Sequence, residues 1–221
     1  MTTLPASIPE MVKLAQGEVG VERDGLPGFV TWGAILAALQ ARHGEPATTA
    51  PLLPMTAEAA RFDARTEALL AALDAKAIPT FRHFICVAKG LAAAYGVDYR
   101  MVSGYRTWDE QEELYHICLN GGAHAVPAGW SWHNFRLAGD FGCFVLIGGK
   151  WVYLDGGTPA QQALANQIHT ALGALARSLG MEWGGGWSGR SCDPPHFQIL
   201  MGRSSPNDAD RANFQQKGSL L

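Results

Sequence analysis

The stretch Asp140–Leu154, DFGCFVLIGGKWVYL, decides the architecture. Two runs rich in β-branched and aromatic residues meet at Gly148-Gly149, a pair suited to a tight two-residue turn, so the segment predicts a β-hairpin. Successive side chains on a strand alternate faces, which aims Asp140 and Gly142 one way and Phe141 and Cys143 the other. A carboxylate inside so apolar a strand must be paired or bound to metal. The question of fold and the question of chemistry therefore start at one residue.

Working outward, residues 97–103 (VDYRMVS) predict a short strand and 196–200 (HFQIL) a last one. Helical spacing covers four segments. Residues 56–75 have Thr56 as N-cap, and 79–96 have Pro79 near the start and Gly96 as the stop. The third, from the cap Thr107, runs to the glycines Gly121 and Gly122; the fourth runs from Pro159 to Gly180. Helices that precede, interrupt and flank short strands predict an α+β fold with a small, mostly antiparallel sheet rather than a doubly wound one.

The segment from His43 to Thr56 carries three prolines and no sustained period, and reads as a linker over 44–56. It separates a small helical unit, residues 1–43, from a larger one, 57–203. The polar run 204–221 is expected to be a loosely ordered tail.

Composition excludes several classes. With 221 residues, 48% hydrophobic and 17% charged, the chain is an ordinary globular protein. A net charge of −3 gives no basic footprint for nucleic acid. No apolar run is long enough to enter a membrane, and the opening residues MTTLPASIPEMVKLAQ lack the features of a signal peptide. The expectation is synthesis in the cytoplasm without a signal peptide, no membrane insertion, and a monomer. The four cysteines (Cys86, Cys118, Cys143, Cys192) are widely spaced and are expected to be buried free thiols, with Cys192 set apart by its neighbour Asp193.

A catalytic zinc needs three protein ligands, with a fourth position left for water. His133 lies shortly before the Asp140 strand, and Asp193 and His196 stand three apart in CDPPHFQI. His133, Asp140 and His196 make a ligand set; Asp193, stiffened by Pro194-Pro195, would be the base. Arg106, just after the first strand, would be the fixed cation for a developing oxyanion. The remaining histidines (His43, His83, His116, His124, His169) are read as ordinary core or surface residues.

Three segments, SGYRTWDEQEELY, SWHNFRLAGDFGCF and EWGGGWSGRSCDPPHFQI, occur in this order between about Thr66 and Met201. With S-x-H-x(6)-D followed by E-W-G-G-x-W and D-x-P-H-F, they resemble the D-alanyl-D-alanine carboxypeptidase and L-alanyl-D-glutamate endopeptidase zinc family, which includes VanY-like enzymes and many bacteriophage endolysins. The resemblance implies Zn2+ held by His133, Asp140 and His196, with Asp193 as general acid/base and Arg106 polarising the scissile carbonyl. Ser131 matches the serine of S-x-H, Gln111 and Tyr115 match a helix behind the arginine, and Trp183 and Trp187 match tryptophans walling the site. One position departs from the pattern. Arg136 stands where the family has glycine, which predicts either a different turn or an arginine that contacts substrate.

In the small unit, Asp24, Gly25, Gly28, Thr31, Ala34 and Ile35 follow a D-G-x-x-G-x-x-T-x-x-A-I pattern that resembles part of a three-helix peptidoglycan-binding module. The two resemblances together imply a zinc peptidase acting on bacterial peptidoglycan. The leading expectation is an L-alanyl-D-glutamate endopeptidase that serves as a phage or prophage endolysin and reaches the wall by a holin lesion. The alternatives are a D-alanyl-D-alanine carboxypeptidase, a secretion-system toxin, and a non-catalytic wall-binding protein.

Overall fold

The computed structural model describes residues 62–221. The unit 1–43, the linker 44–56 and the Thr56 cap lie outside the described residues. The first described helix, α1 (Ala64–Ala71), is capped by Asp63, whose carboxylate accepts from the Thr66 amide at 3.0 Å. Helix α2 (Ile78–Ala93) has Pro79 in its first turn, where a missing N–H costs nothing, and leads through Gly96 into β1 (Asp98–Ser103). Helix α3 (Trp108–Leu119) carries a capping box in which Thr107 and Glu110 satisfy each other's backbone donors.

A single turn of 3-10 helix (Trp132–Phe135) precedes β2 (Ala138–Ile147). Gly148 and Gly149, at φ 56° and 79°, turn β2 into β3 (Lys150–Tyr153), the hairpin the sequence predicts. Helix α4 (Pro159–Ser178) has a second capping box, Thr158 with Gln161, and Gly180 at φ 72° stops it. Strand β4 (Met181–Trp183), which the sequence reading passed over, β5 (His196–Ile199) and α5 (Asp208–Lys217) complete the chain.

All the pairings are antiparallel. The order is β1-β2-β5-β4, with β3 on β2, so the small antiparallel sheet of an α+β fold stands as expected. One face of the sheet packs on α2 and α4. Phe84 lies 4.6 Å from Phe197 and 5.3 Å from Phe141, while Tyr99 stacks on Phe141 at 5.6 Å; all four are wholly buried, as is Phe81. Because strands alternate, this aromatic layer commits Asp140, His196 and Gln198 to the opposite face. Core packing thereby aims the polar side chains.

The expected loose tail is corrected. α5 is a capped helix docked on the domain, because Phe214 meets Phe135 edge-on at 5.1 Å and Arg203 bonds Asp210 at 2.9 Å. Its polarity hid this, since a single aromatic anchor does not produce a visible apolar stripe. Among the described residues, no helix is long and apolar enough to cross a membrane.

Candidate metal centre

Strand register builds the centre. Asp140 on β2 pairs with His196 on β5 to one side and Ser103 on β1 to the other. His133 arrives from the 3-10 turn, whose N-cap Ser131 accepts from the His133 amide at 3.4 Å. His133 Nε2 and Asp140 Oδ1 lie 3.2 Å apart, His133 Nε2 and His196 Nδ1 3.2 Å, and His196 Nδ1 and Asp140 Oδ1 3.1 Å. Two donors on a tetrahedral zinc at 2.0–2.1 Å stand about 3.3 Å apart, so this nearly equilateral triangle has the size of one face of a zinc tetrahedron.

The outer nitrogens fix which atoms face inward. His133 Nδ1 sits 2.6 Å from the Gly104 carbonyl, so Nδ1–H donates there and Nε2 keeps its lone pair for the centre. His196 is turned the other way: Nε2 lies 2.8 Å from Gln198 Oε1, which leaves Nδ1 inward. Gln198 then donates to Glu182 Oε2 at 2.8 Å, and Trp187 Nε1 donates to Glu182 Oε1 at 2.7 Å. Gln198 and Glu182 were missed from sequence. The available signal was position: Gln198 is two residues past His196 on a strand, on the same face, and Glu182 is its partner across β4.

The electrostatics call for a cation. Burial alone would raise the Asp140 carboxyl, yet the imidazoles of His133 and His196 hold it well below the usual range. Burial works against a charged His196, but Asp140 first, then Gln198 and Asp193, leave its pKa raised. Two buried imidazoles and a partly buried carboxylate that turn their donor atoms to one point suit a divalent ion.

Arg106 stands beside the triangle. Its guanidinium donates to Gln111 Oε1 at 2.7 Å and reaches Ser103 Oγ at 3.4 Å and Asp140 Oδ2 at 3.5 Å. Gln111, buried on α3, is itself fixed by donating to the Val126 carbonyl at 2.6 Å. Asn134 locks the backbone, donating to the carbonyls of Arg106 at 2.9 Å and Thr107 at 3.1 Å.

Asp193 lines the same cleft, of about 790 Å³, with its outer edge open to solvent. Its carboxyl is raised by partial desolvation and by the Asp140 charge, against the opposing pull of His196 and His133. The loop carrying it is pinned at several points. The Asp193 amide donates to Gly184 O at 3.0 Å, Trp183 Nε1 to Pro194 O at 2.8 Å, and the Phe141 amide to Pro195 O at 3.0 Å. Gly184 must be glycine, since a Cβ there would lie 2.7 Å from the Asp193 carbonyl oxygen.

The other candidates divide. Ser131 and Trp187 line the cleft, the Trp187 ring 5.0 Å from His196. Trp183 does not wall it: its ring lies between Gly173 of α4 and Gly185, and its role is to hold Pro194. Tyr115 stays outside the cleft, against His116. Arg136 adopts φ 63°, the one non-glycine residue in the left-handed region among the described residues. It therefore keeps the glycine-type turn, and its guanidinium lies over the Tyr105 ring at 4.9 Å, away from the cleft. Of the cysteines only Cys143 is fully buried; Cys192 is exposed in the cleft, which corrects the expectation of four buried thiols.

A second cluster, Cys143, Asp155 and His169, has a different character. His169 Nε2 and Asp155 Oδ1 are 2.6 Å apart, too close for two ligands of one ion and right for a hydrogen bond. Tyr99 OH lies 3.1 Å from His169 Nδ1, and its pKa is driven well above normal by burial, so it stays a phenol and donates. His169 accepts from Tyr99 at Nδ1 and donates to Asp155 from Nε2, joining β1, α4 and the end of the hairpin.

Residues 125–199 match the family described as D-alanyl-D-alanine carboxypeptidase. The chain is 32% identical over 117 residues to the peptidoglycan L-alanyl-D-glutamate endopeptidase CwlK of Bacillus subtilis, covering 51% of this chain and 66% of that one, just under two thirds. Among solved structures it is similar to the L-Ala D-Glu endopeptidase ChiX of Serratia marcescens, at 26% identity and a TM-score of 0.39 over 63% of this chain and 90% of that one. It is also similar to the vancomycin-resistance D,D-pentapeptidase VanY in complex with Zn(II), at 18% identity and a TM-score of 0.39 over 66% and 80%. The segment that matches the D-alanyl-D-alanine carboxypeptidase family contains all three metal-ligand candidates, His133, Asp140 and His196, together with Asp193.

Proposed function

We propose that the protein hydrolyses the peptide stems of bacterial peptidoglycan as an L-alanyl-D-glutamate endopeptidase. The observation that carries the reading is the zinc-sized triangle of His133, Asp140 and His196, with Arg106 and Asp193 on the same cleft. A zinc ion supplies Lewis acidity and acidifies a water towards pKa ~7. Asp193 takes the proton of the attacking water and returns it to the leaving amine. Arg106, held by Gln111, donates to the carbonyl oxygen as its charge grows. Identity to CwlK favours the L-alanyl-D-glutamate bond over D-alanyl-D-alanine.

An endolysin role belongs to the same proposal and rests on this domain together with the wall-binding pattern around Asp24–Ile35. The test is mass spectrometry of fragments released from purified peptidoglycan by the protein and by Asp193→Ala. New L-Ala carboxyl and D-Glu amino ends with the first and not the second are expected. Free D-Ala instead would make it a carboxypeptidase. Release of neither would leave a wall-binding protein.

A further inference from the structure

The walls of the cleft differ in chemistry. Leu114 and Ile117 of α3 and Trp130 make one side apolar, and all three remain exposed. The other side is the loop from Gly184 to Asp193, bearing Ser188, Arg190 and Ser191. Of the two arginines lining the cleft, Arg106 is engaged by Gln111, Ser103 and Asp140. Arg190 is exposed, and among the described residues its guanidinium has no ion pair or hydrogen bond.

The backbone that carries it is closed by hydrogen bonds. Gly184 O accepts from both the Trp187 and the Asp193 amides at 3.0 Å, which closes the loop at its base. Within it, the Cys192 amide returns to Gly189 O at 3.3 Å, with Gly189 at φ 62°. Arg190 is three residues from Asp193, so their Cα atoms are no more than about 11 Å apart. A free guanidinium on the loop that carries Asp193 offers a planar, permanently charged partner to a carboxylate entering the cleft.

We propose that Arg190 forms a carboxylate-binding subsite that selects substrates bearing a free carboxylate next to the scissile bond. This rests on the peptidase reading above. Two sources share the chemistry: the free carboxylate of a D-glutamate residue following the cut bond, and the terminal carboxylate of a D-alanyl-D-alanine stem.

The test uses the zinc-loaded full chain, Arg190→Ala and Arg190→Lys on two pairs of synthetic peptides. One pair carries L-Ala–D-Glu as the free acid or as its α-amide; the other ends in D-Ala–D-Ala as the free acid or as the terminal amide. The unsubstituted protein should prefer the free acid of one pair, and that pair identifies the source. In Arg190→Ala the acid-to-amide ratio of kcat/KM should fall roughly 10- to 100-fold, mainly through KM, as expected for a lost charge-assisted contact. Arg190→Lys should restore part of the ratio. Equal cleavage of acid and amide by the unsubstituted protein, or an unchanged ratio in Arg190→Ala, overturns the subsite and leaves the peptidase standing. Cleavage of none of the four peptides by a zinc-loaded protein removes both.

Discussion

At the scale of single residues, the centre depends on groups that never touch the metal position. Gln198 holds His196 with Nδ1 inward, so Gln198→Leu should weaken zinc binding by about 10- to 100-fold, read by competition with a chromophoric chelator. His133→Ala removes a candidate ligand and should abolish stoichiometric zinc, measured by elemental analysis of the purified protein. Arg136 tests backbone strain. Its left-handed conformation costs an ordinary L-residue ~1–2 kcal/mol, recovered in part over the Tyr105 ring. Arg136→Gly should therefore change stability by no more than about 1 kcal/mol, whereas the β-branched Arg136→Val should lose about 1–2 kcal/mol in urea melts. The sequence marked Arg136 as unusual, but whether the turn or the side chain would yield depended on the neighbours.

At the scale of elements, caps were legible because they are local. Thr107 with Glu110 announces the start of α3 within four residues, and the structure has that box. Asp63 was overlooked in favour of Thr56. Burial tends to raise its carboxyl, but hydrogen bonds from the Thr66 hydroxyl and amide, helped by Arg100 and Lys89, leave it below the ordinary 3.8. With the folded value lowered, the cap's contribution is complete above 3.8 and fades as pH falls through the lowered value. Asp63→Ala should cost about 1 kcal/mol at neutral pH. The Tm difference from the parent should shrink in acid, and a constant difference would detach the cap from the titration. Strand β4 was missed because three residues show no period. Helix α5 was missed because its anchor, Phe214, has meaning only against Phe135. Phe214→Ala should lower stability by about 2 kcal/mol, as a melting shift with zinc content preserved.

At the scale of the whole molecule, the Tyr99–His169–Asp155 chain fastens three elements behind the sheet, with the His169 side chain wholly buried. His169→Ala would strand the Asp155 carboxylate and should cost about 3–5 kcal/mol. Tyr99→Phe removes one hydrogen bond and should cost about 1 kcal/mol. The order of these two losses in denaturant melts checks the direction of the network. On the front face, the same sheet carries Asp140 and His196 of the candidate metal set, so the aromatic layer of Phe84, Phe141 and Phe197 serves both sides at once.

By itself the sequence named the candidate donor set and determined the hairpin at Gly148-Gly149 and the antiparallel α+β class. All three are written in local spacing, alternation and turn chemistry. Tertiary structure decided the rest. It paired Asp140 with His196 across β2 and β5, set Trp187 against the site while turning Trp183 to Pro194, and left Arg190 unpaired in the cleft. The physical reason is range: a cap or turn is satisfied within a few residues, whereas the inward nitrogen of His196 depends on Gln198 and Glu182, which only strand pairing brings together.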